Sequence, residues 1–161
     1  MNRVWQALGG FGVCKLIPAI TTNWHIQMVD SRAKGAGFER EIAHLIYEHL
    51  GISVRRDLEQ YRESLHGDLI GLDGWVIECK RYADNSSFMH RAEWWTQTCN
   101  AARNGEHPVL IYKYDRRPIR CVFPMHVINK EMAIKFDEVV TTSFETWCYV
   151  VREQEVNSKI N

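Results

Sequence analysis

Between residues 31 and 50 the apolar side chains Phe38, Ile42, Leu45, Ile46 and Leu50 recur at three- and four-residue spacing, which places them on one face of a helix. Gly51 follows as a stop signal. On that wheel Glu39 lies on the flank of the stripe, beside Ile42 and Ile46, where a carboxylate can reach into a cleft. Glu41 points away and is expected to be solvated. The period then shortens. Residues 52–56 (ISVRR) read as a strand with Val54 and Arg56 on one face and Arg55 on the other, and the polar residues 57–67 read as a loop. A second helix is expected over 88–104, with Phe88, Ala92, Trp95, Cys99 and Ala102 on its buried stripe and Gly105 and Pro108 ending it. Trp94 falls off that stripe, so the spacing predicts an exposed aromatic and a partner surface there, or a Trp partly covered by the N-terminal extension. Residues 108–114 and 119–123 read as strands, 125–135 as a short helix, 146–152 (TWCYVVR) as a last strand, and the C-terminal residues as frayed. The order helix, strand, hairpin, helix, strand, strand predicts an α/β (α+β) domain, a central sheet with helices on its faces.

Residues 66–80, HGDLIGLDGWVIECK, are the hairpin at the centre of this order. Asp73-Gly74 is a strong turn signal, and the loop length decides which side chains meet. A two-residue loop pairs Leu72 with Trp75, sets Asp68 opposite Cys79 and turns Glu78 away, because a one-residue slip inverts every side chain. A three-residue loop ending on a left-handed Gly74 pairs Gly71 with Trp75 and Asp68 with Glu78. We adopt the second register, which puts Asp68, Glu78 and Lys80 on one face and Leu69, Ile77 and Cys79 on the other. A hard divalent ion suits such a face, since Mg²⁺ takes oxygen ligands and one or two carboxylates. The plainer alternative is an amphipathic hairpin whose charged face is solvated.

Composition narrows the picture. With 161 residues and 25% of them charged, the chain reads as one domain over 31–161. Residues 1–30 read as an N-terminal extension or as a start assigned too early, with Met28 as the alternative, and they lack the apolar core and cleavage site of a secretory signal. There is no 18-residue apolar run, so no membrane span is expected. Net charge is zero, which removes a global field for a polyanion. From Lys80 to Arg120, however, eight basic residues stand against four acidic ones, so any DNA footprint is local. Lys113, Arg116, Arg117 and Arg120 cluster beside one turn and could track a DNA backbone, a contact that gives affinity without sequence information. The five cysteines form no C-x-x-C and are odd in number. That argues against a zinc ribbon or disulfide framework and for a reducing cytosol, with each thiol a small buried residue.

Asp68, Glu78 and Lys80 together resemble the PD-(D/E)XK nuclease signature, with Gly67-Asp68 in place of Pro-Asp and Glu78-Cys79-Lys80 as its second half. In sequence order, KGAGFEREIAHLI, GISVRR, GD and IECK resemble the archaeal-type Holliday junction resolvases and their phage-borne relatives over about residues 34–123. The resemblance implies a restriction-endonuclease-like core of order α-β-β-β-α-β. It also implies a Mg²⁺-dependent DNA endonuclease, with Mn²⁺ as a substitute, that acts in the cytoplasm of a bacterial or phage-infected cell. A homodimer on a four-way junction would match two-fold symmetry to two scissile sites. By the same resemblance Glu39, Asp68, Glu78 and Lys80 are the catalytic set. Asp68 and Glu78 would be direct metal ligands with the backbone carbonyl of Cys79, and Glu39 would bind through water or at a second ion. Lys80 would orient and help deprotonate the attacking water. Arg40, Arg56 and Ser64 would contact DNA, with Arg40 and Arg56 alternatively pairing with Glu39 or Asp57. The departures are His66-Gly67 before the Asp and the long 57–67 loop. Two other readings stay open: a related nuclease acting on unbranched DNA, and a non-catalytic DNA-binding module of the same fold. The intact acid–acid–lysine set speaks against the latter.

Overall fold

The stripe of Phe38, Ile42 and Ile46 is fully buried, on a helix that begins well before residue 31: α1 spans Trp24–Leu50 and closes on Gly51, whose N–H bonds the Tyr47 carbonyl and whose φ is +72°. The computed structural model describes residues 24–57, 67–83, 89–103 and 105–160. Ser64, Phe88 and most of the expected 57–67 loop lie outside them. After α1 come β1 (Arg55–Arg56), β2 (Leu69–Ile70), β3 (Trp75–Tyr82), α2 (Ala92–Ala101), β4 (His107–Tyr114), β5 (Arg120–Pro124), β6 (Val139–Ser143) and α3 (Phe144–Ile160).

The six strands form one mixed sheet in chain order. Each neighbouring pair is antiparallel except β3 and β4, which run parallel because α2 carries the crossover between them. One face packs Leu69, Ile77, Cys79, Val109, Ile111 and Phe123 against α1 and α3. The other packs Leu110, Tyr112, Tyr114 and Val122 against Trp94 of α2. The result is three layers around a central mixed sheet, the α+β architecture expected. No helix among the described residues is long and apolar enough to cross a membrane.

Four expectations differ from the structure. The segment expected to be a last strand over 146–152 is inside α3. Its β-branched and aromatic residues favour a strand locally, but Phe144, Trp147, Cys148 and Val151 are all buried at helical spacing, and tertiary burial outweighs propensity. Ser143 starts the helix, its Oγ accepting the Thr146 N–H at 3.2 Å. Unforeseen β6 precedes it and pairs with β5. The expected helix over 125–135 is a single 3₁₀ turn, Met125–Val127, and the first strand is only two residues long. The fourth difference is the phase of α2. Its buried residues are Trp94, Thr98 and Ala101, one position away from the expected stripe. Trp94 is therefore core, not an exposed partner surface: its ring lies 5.0 Å from Tyr82, 6.4 Å from Tyr112 and 6.0 Å from Tyr114. The large ring takes the sheet-facing position, and Trp95 instead bonds the Phe136 carbonyl through Nε1 at 2.6 Å.

Candidate active site

Leu69 pairs with Ile77 across β2 and β3, the register of a three-residue loop. Gly74 adopts φ +76°, and the Trp75 N–H closes the turn on the Leu72 carbonyl at 3.3 Å. Leu69 and Ile77 point into the α1 side, so Glu78 and Lys80 of β3 fall on the α2 side by alternation, and Asp68 stands immediately before β2. Backbone and side chain both fix Asp68. Its N–H donates to the Ile77 carbonyl at 2.7 Å, and its Oδ2 accepts the Cys79 N–H at 2.6 Å. Glu78 is 3% exposed, and its Oε1 accepts from Lys80 Nζ at 2.6 Å and from Gln97 Nε2 at 2.8 Å.

These contacts leave the acids electrostatically frustrated. Burial first, then the Asp68 charge, push the Glu78 carboxyl up to about 7, against the pull of Lys80, with Glu39 adding to the rise. Burial draws the Lys80 ammonium down, but the Glu78 charge and hydrogen bond, with Asp68, outweigh it and hold the amine above its ordinary value. The Cys79 thiol is pushed well up, by burial and then by Asp68 and Glu78. It faces the core and offers nothing to the site. Oxygen donors, a buried carboxylate that resists ionising beside a second one, and an ammonium at the rim fit a hard cation. Among the described residues no three of His, Cys, Asp and Glu close into a cage. An ion held here would complete its shell with water and substrate oxygens, as Mg²⁺ does.

The remaining expected residues divide. Arg56 pairs in register with the core residue Leu69, so it points toward α1, where its Nε makes an ion pair with Glu39 Oε2. Glu39 is within electrostatic reach of Glu78 and Cys79 and is engaged by an arginine. Arg40 is exposed on α1. Lys113 Nζ bonds Glu41 at 3.1 Å, so Glu41 is tied to β4 rather than simply solvated. Arg116 is exposed with φ +63°, whereas Arg117 is half-buried. Ser64 lies outside the described residues. Sequence reading missed Gln97, because the α2 stripe was set one residue out of phase. It also missed the anchor Asp115, which binds Lys34 of α1 and, at 3.1 Å, Arg81 of β3. Its carboxyl is held below the usual range chiefly by the Lys34 hydrogen bond.

Gly67 has a role that no side chain can fill. A Cβ there would lie 2.6 Å from the Ile77 carbonyl oxygen and 2.9 Å from its nitrogen, both backbone atoms of β3. Gly67→Ala is expected to push β2 away and move Asp68 off the Cys79 amide. Cleavage should fall about 10²-fold, the scale of an ångström-sized misplacement, with stability lower by about 1–3 kcal/mol. Cleavage rate and thermal midpoint measured on the same preparation check this; unchanged values of both would contradict it.

Known proteins offer two points of comparison. The structure is similar to that of a Holliday junction resolvase from the archaeal hyperthermophile Archaeoglobus fulgidus, with 18% sequence identity, covering 69% of this chain and 84% of that one at a TM-score of 0.41. No curated protein matches the sequence. Residues 30–158 match the family described as "Phage putative PDDEXK endonuclease", a span that holds α1 from its second turn, the whole sheet and most of α3. With the Asp68, Glu78 and Lys80 face inside that span, the chain belongs to the phage PD-(D/E)XK endonuclease family.

Proposed function

We propose that this protein is a Mg²⁺-dependent DNA endonuclease that resolves four-way junctions as a homodimer, in the cytoplasm of a bacterial or phage-infected cell. The observation behind the catalytic reading is the closeness of Asp68, Glu78 and Lys80: Asp68 accepts the Cys79 N–H, and Lys80 bonds Glu78. Asp68 and Glu78, with the Cys79 carbonyl, would hold the divalent ion, which supplies an acidified water and a polarised phosphate. Gln97 and Lys80 both donate to Oε1 of the Glu78 carboxylate. Lys80, held in its ammonium form by that carboxylate, orients the attacking water and stabilises charge on the phosphoryl oxygens; in this form it does not remove the proton itself. Glu39 acts from the neighbouring edge with Arg56, either through water or at a second ion. The junction preference rests on the order of the motifs from Lys34 to Lys80. A two-fold dimer would present two such sites to the two scissile strands.

The test is a gel assay of the purified protein on a synthetic four-way junction, a linear duplex and a single strand, with Mg²⁺ and with EDTA. Paired symmetric nicks on the junction alone, lost in EDTA, are expected. Cutting of linear DNA would keep the metal site and replace the junction reading. Binding with no cutting of any substrate would make the chain a non-catalytic DNA-binding module.

Arg40, Arg116 and Arg117 are proposed to contact DNA phosphates, together with Ser64, with Lys113 beside its Glu41 partner and with Arg56 beside Glu39. Arg116→Ala removes one charge without changing the backbone conformation the residue must adopt. Its expected effect is uniformly weaker binding and a slope of log affinity against log salt that is shallower by about 1. An unchanged slope in a salt titration would remove Arg116 from the contact set.

A further inference from the structure

The face of β3 that bears Glu78 and Lys80 continues to an exposed aromatic. Side chains on one face recur every second residue at about 3.3 Å per residue, so Tyr82 follows Lys80 about 7 Å farther along. The β3–β4 register pairs Lys80 with Tyr112 and Tyr82 with Tyr114, and both β4 tyrosines are buried against Trp94. Tyr82 alone of this group is open, 43% exposed. Its ring centroid lies 5.0 Å from that of Trp94. The Arg91 guanidinium sits 4.5 Å from the Tyr82 centroid and 5.3 Å from that of Trp94. Arg91 is also exposed and makes a long ion pair with Glu93 at 3.6 Å. A buried tryptophan thus forms the floor under an exposed tyrosine and arginine, on the same side of the sheet as the acids and one strand position beyond the lysine.

Aromatic rings and guanidinium planes are the groups on which proteins stack nucleobases that have left the helix. Bases inside an intact duplex are stacked on each other and cannot use such a surface. Arg91 adds a fork that matches a phosphate. Neither group is needed by the metal site, and the core is closed by Trp94, Tyr112 and Tyr114 without them. We propose that Tyr82 and Arg91 form a stacking platform for an unpaired base next to the scissile phosphate, so that the preferred substrate has splayed nucleotides beside the cut. This rests on the nuclease reading above and specifies the DNA it acts on.

The experiment uses the full chain carrying Asp68→Asn, so that DNA is bound and not cut, in Mg²⁺. Affinity is measured for a duplex with a short unpaired flap carrying 2-aminopurine and for a fully paired duplex of equal length. The flap base is expected to be quenched on binding. Tyr82→Ala should lower flap affinity about 5- to 100-fold and remove most of the preference over paired DNA, whereas Tyr82→Phe should retain both. Arg91→Gln, which leaves the aromatic floor in place, should lower flap affinity in the same direction and serves where Tyr82→Ala lowers the thermal midpoint. The platform is overturned by equal losses on both DNAs, by Tyr82→Phe behaving as Tyr82→Ala does, or by an unquenched flap base. Cleavage by the otherwise unaltered chain keeps the two claims apart. Cutting with no effect of Tyr82 or Arg91 substitution sinks the platform alone. Quenching without cutting by the chain that retains Asp68 sinks the nuclease reading alone.

Discussion

Replacing Asp68 by Asn, or Glu78 by Gln, is expected to lower DNA cleavage by at least about 10³-fold while folding and DNA binding persist, since each removes charge that acts on the transition state. Both exchanges keep shape. In Asp68→Asn the amide retains an oxygen for the Cys79 N–H, which Asp68 now bonds at 2.6 Å. In Glu78→Gln the amide retains one for Lys80 and Gln97. The Glu78 substitution carries a second, opposite signature. The folded pKa of Glu78 is raised from 4.5 to about 7, so in the folded state the proton is held more tightly than in the unfolded chain. Ionisation therefore lowers stability progressively as pH rises from about 4.5 through 7. In EDTA at pH 8 the Glu78→Gln protein should melt no lower than the wild type, and higher if no other contact is lost. Cleavage rates with melting curves at pH 5 and pH 8 check both parts. A Glu78→Gln protein that is unfolded, or that still cuts at the wild-type rate, would contradict the assignment.

Trp147→Ala is expected to cost about 3–5 kcal/mol, the range for emptying a buried tryptophan site. Trp147 is fully buried where α3 meets the sheet. Its ring meets Trp75 edge-on at 5.6 Å and Phe144 at 5.6 Å, and Trp75 in turn touches Phe123 at 6.1 Å. One side chain therefore ties α3 to the two strands, β3 and β5, that frame the core. Its Nε1 is buried without a hydrogen-bond partner among the described residues, and the ring contacts are aromatic packing. Trp147→Phe should consequently retain most of the stability. Urea denaturation of the three proteins measures this. A Trp147→Ala loss under about 1 kcal/mol would mean that α3 is not docked as described.

The site was more legible in the sequence than the outer elements were, and the reason is local. Hairpin register follows from loop length and one glycine able to take a positive φ, all within a single short hairpin. It could be decided without knowing what packs above. α3 could not. The run from Thr146 to Val151 satisfies both a strand and a helix, and only the core formed by Phe38, Ile42 and Phe123 selects the helix. α2 failed by a single residue of phase, because Trp94 and Trp95 are adjacent and either could have been the buried one. That error hid Gln97. The Lys34–Asp115–Arg81 and Lys113–Glu41 pairs join segments far apart in the chain, and nothing in the local pattern announces them. Pairing with Glu39 or Asp57 was visible beside the DNA contact expected of Arg56, and in the structure Arg56 pairs with Glu39.

Divalent-ion dependence at Asp68 and Glu78 is what a nuclease of this design requires first. Cleavage rate and thermal midpoint should be measured against Mg²⁺ concentration, for the wild type and for Glu78→Gln. The wild type should cut only with the ion, and its melting temperature should rise over the same concentration range as its rate. Glu78→Gln should show neither response. Cleavage that persists in EDTA, or a Mg²⁺ response that survives in Glu78→Gln, would contradict it.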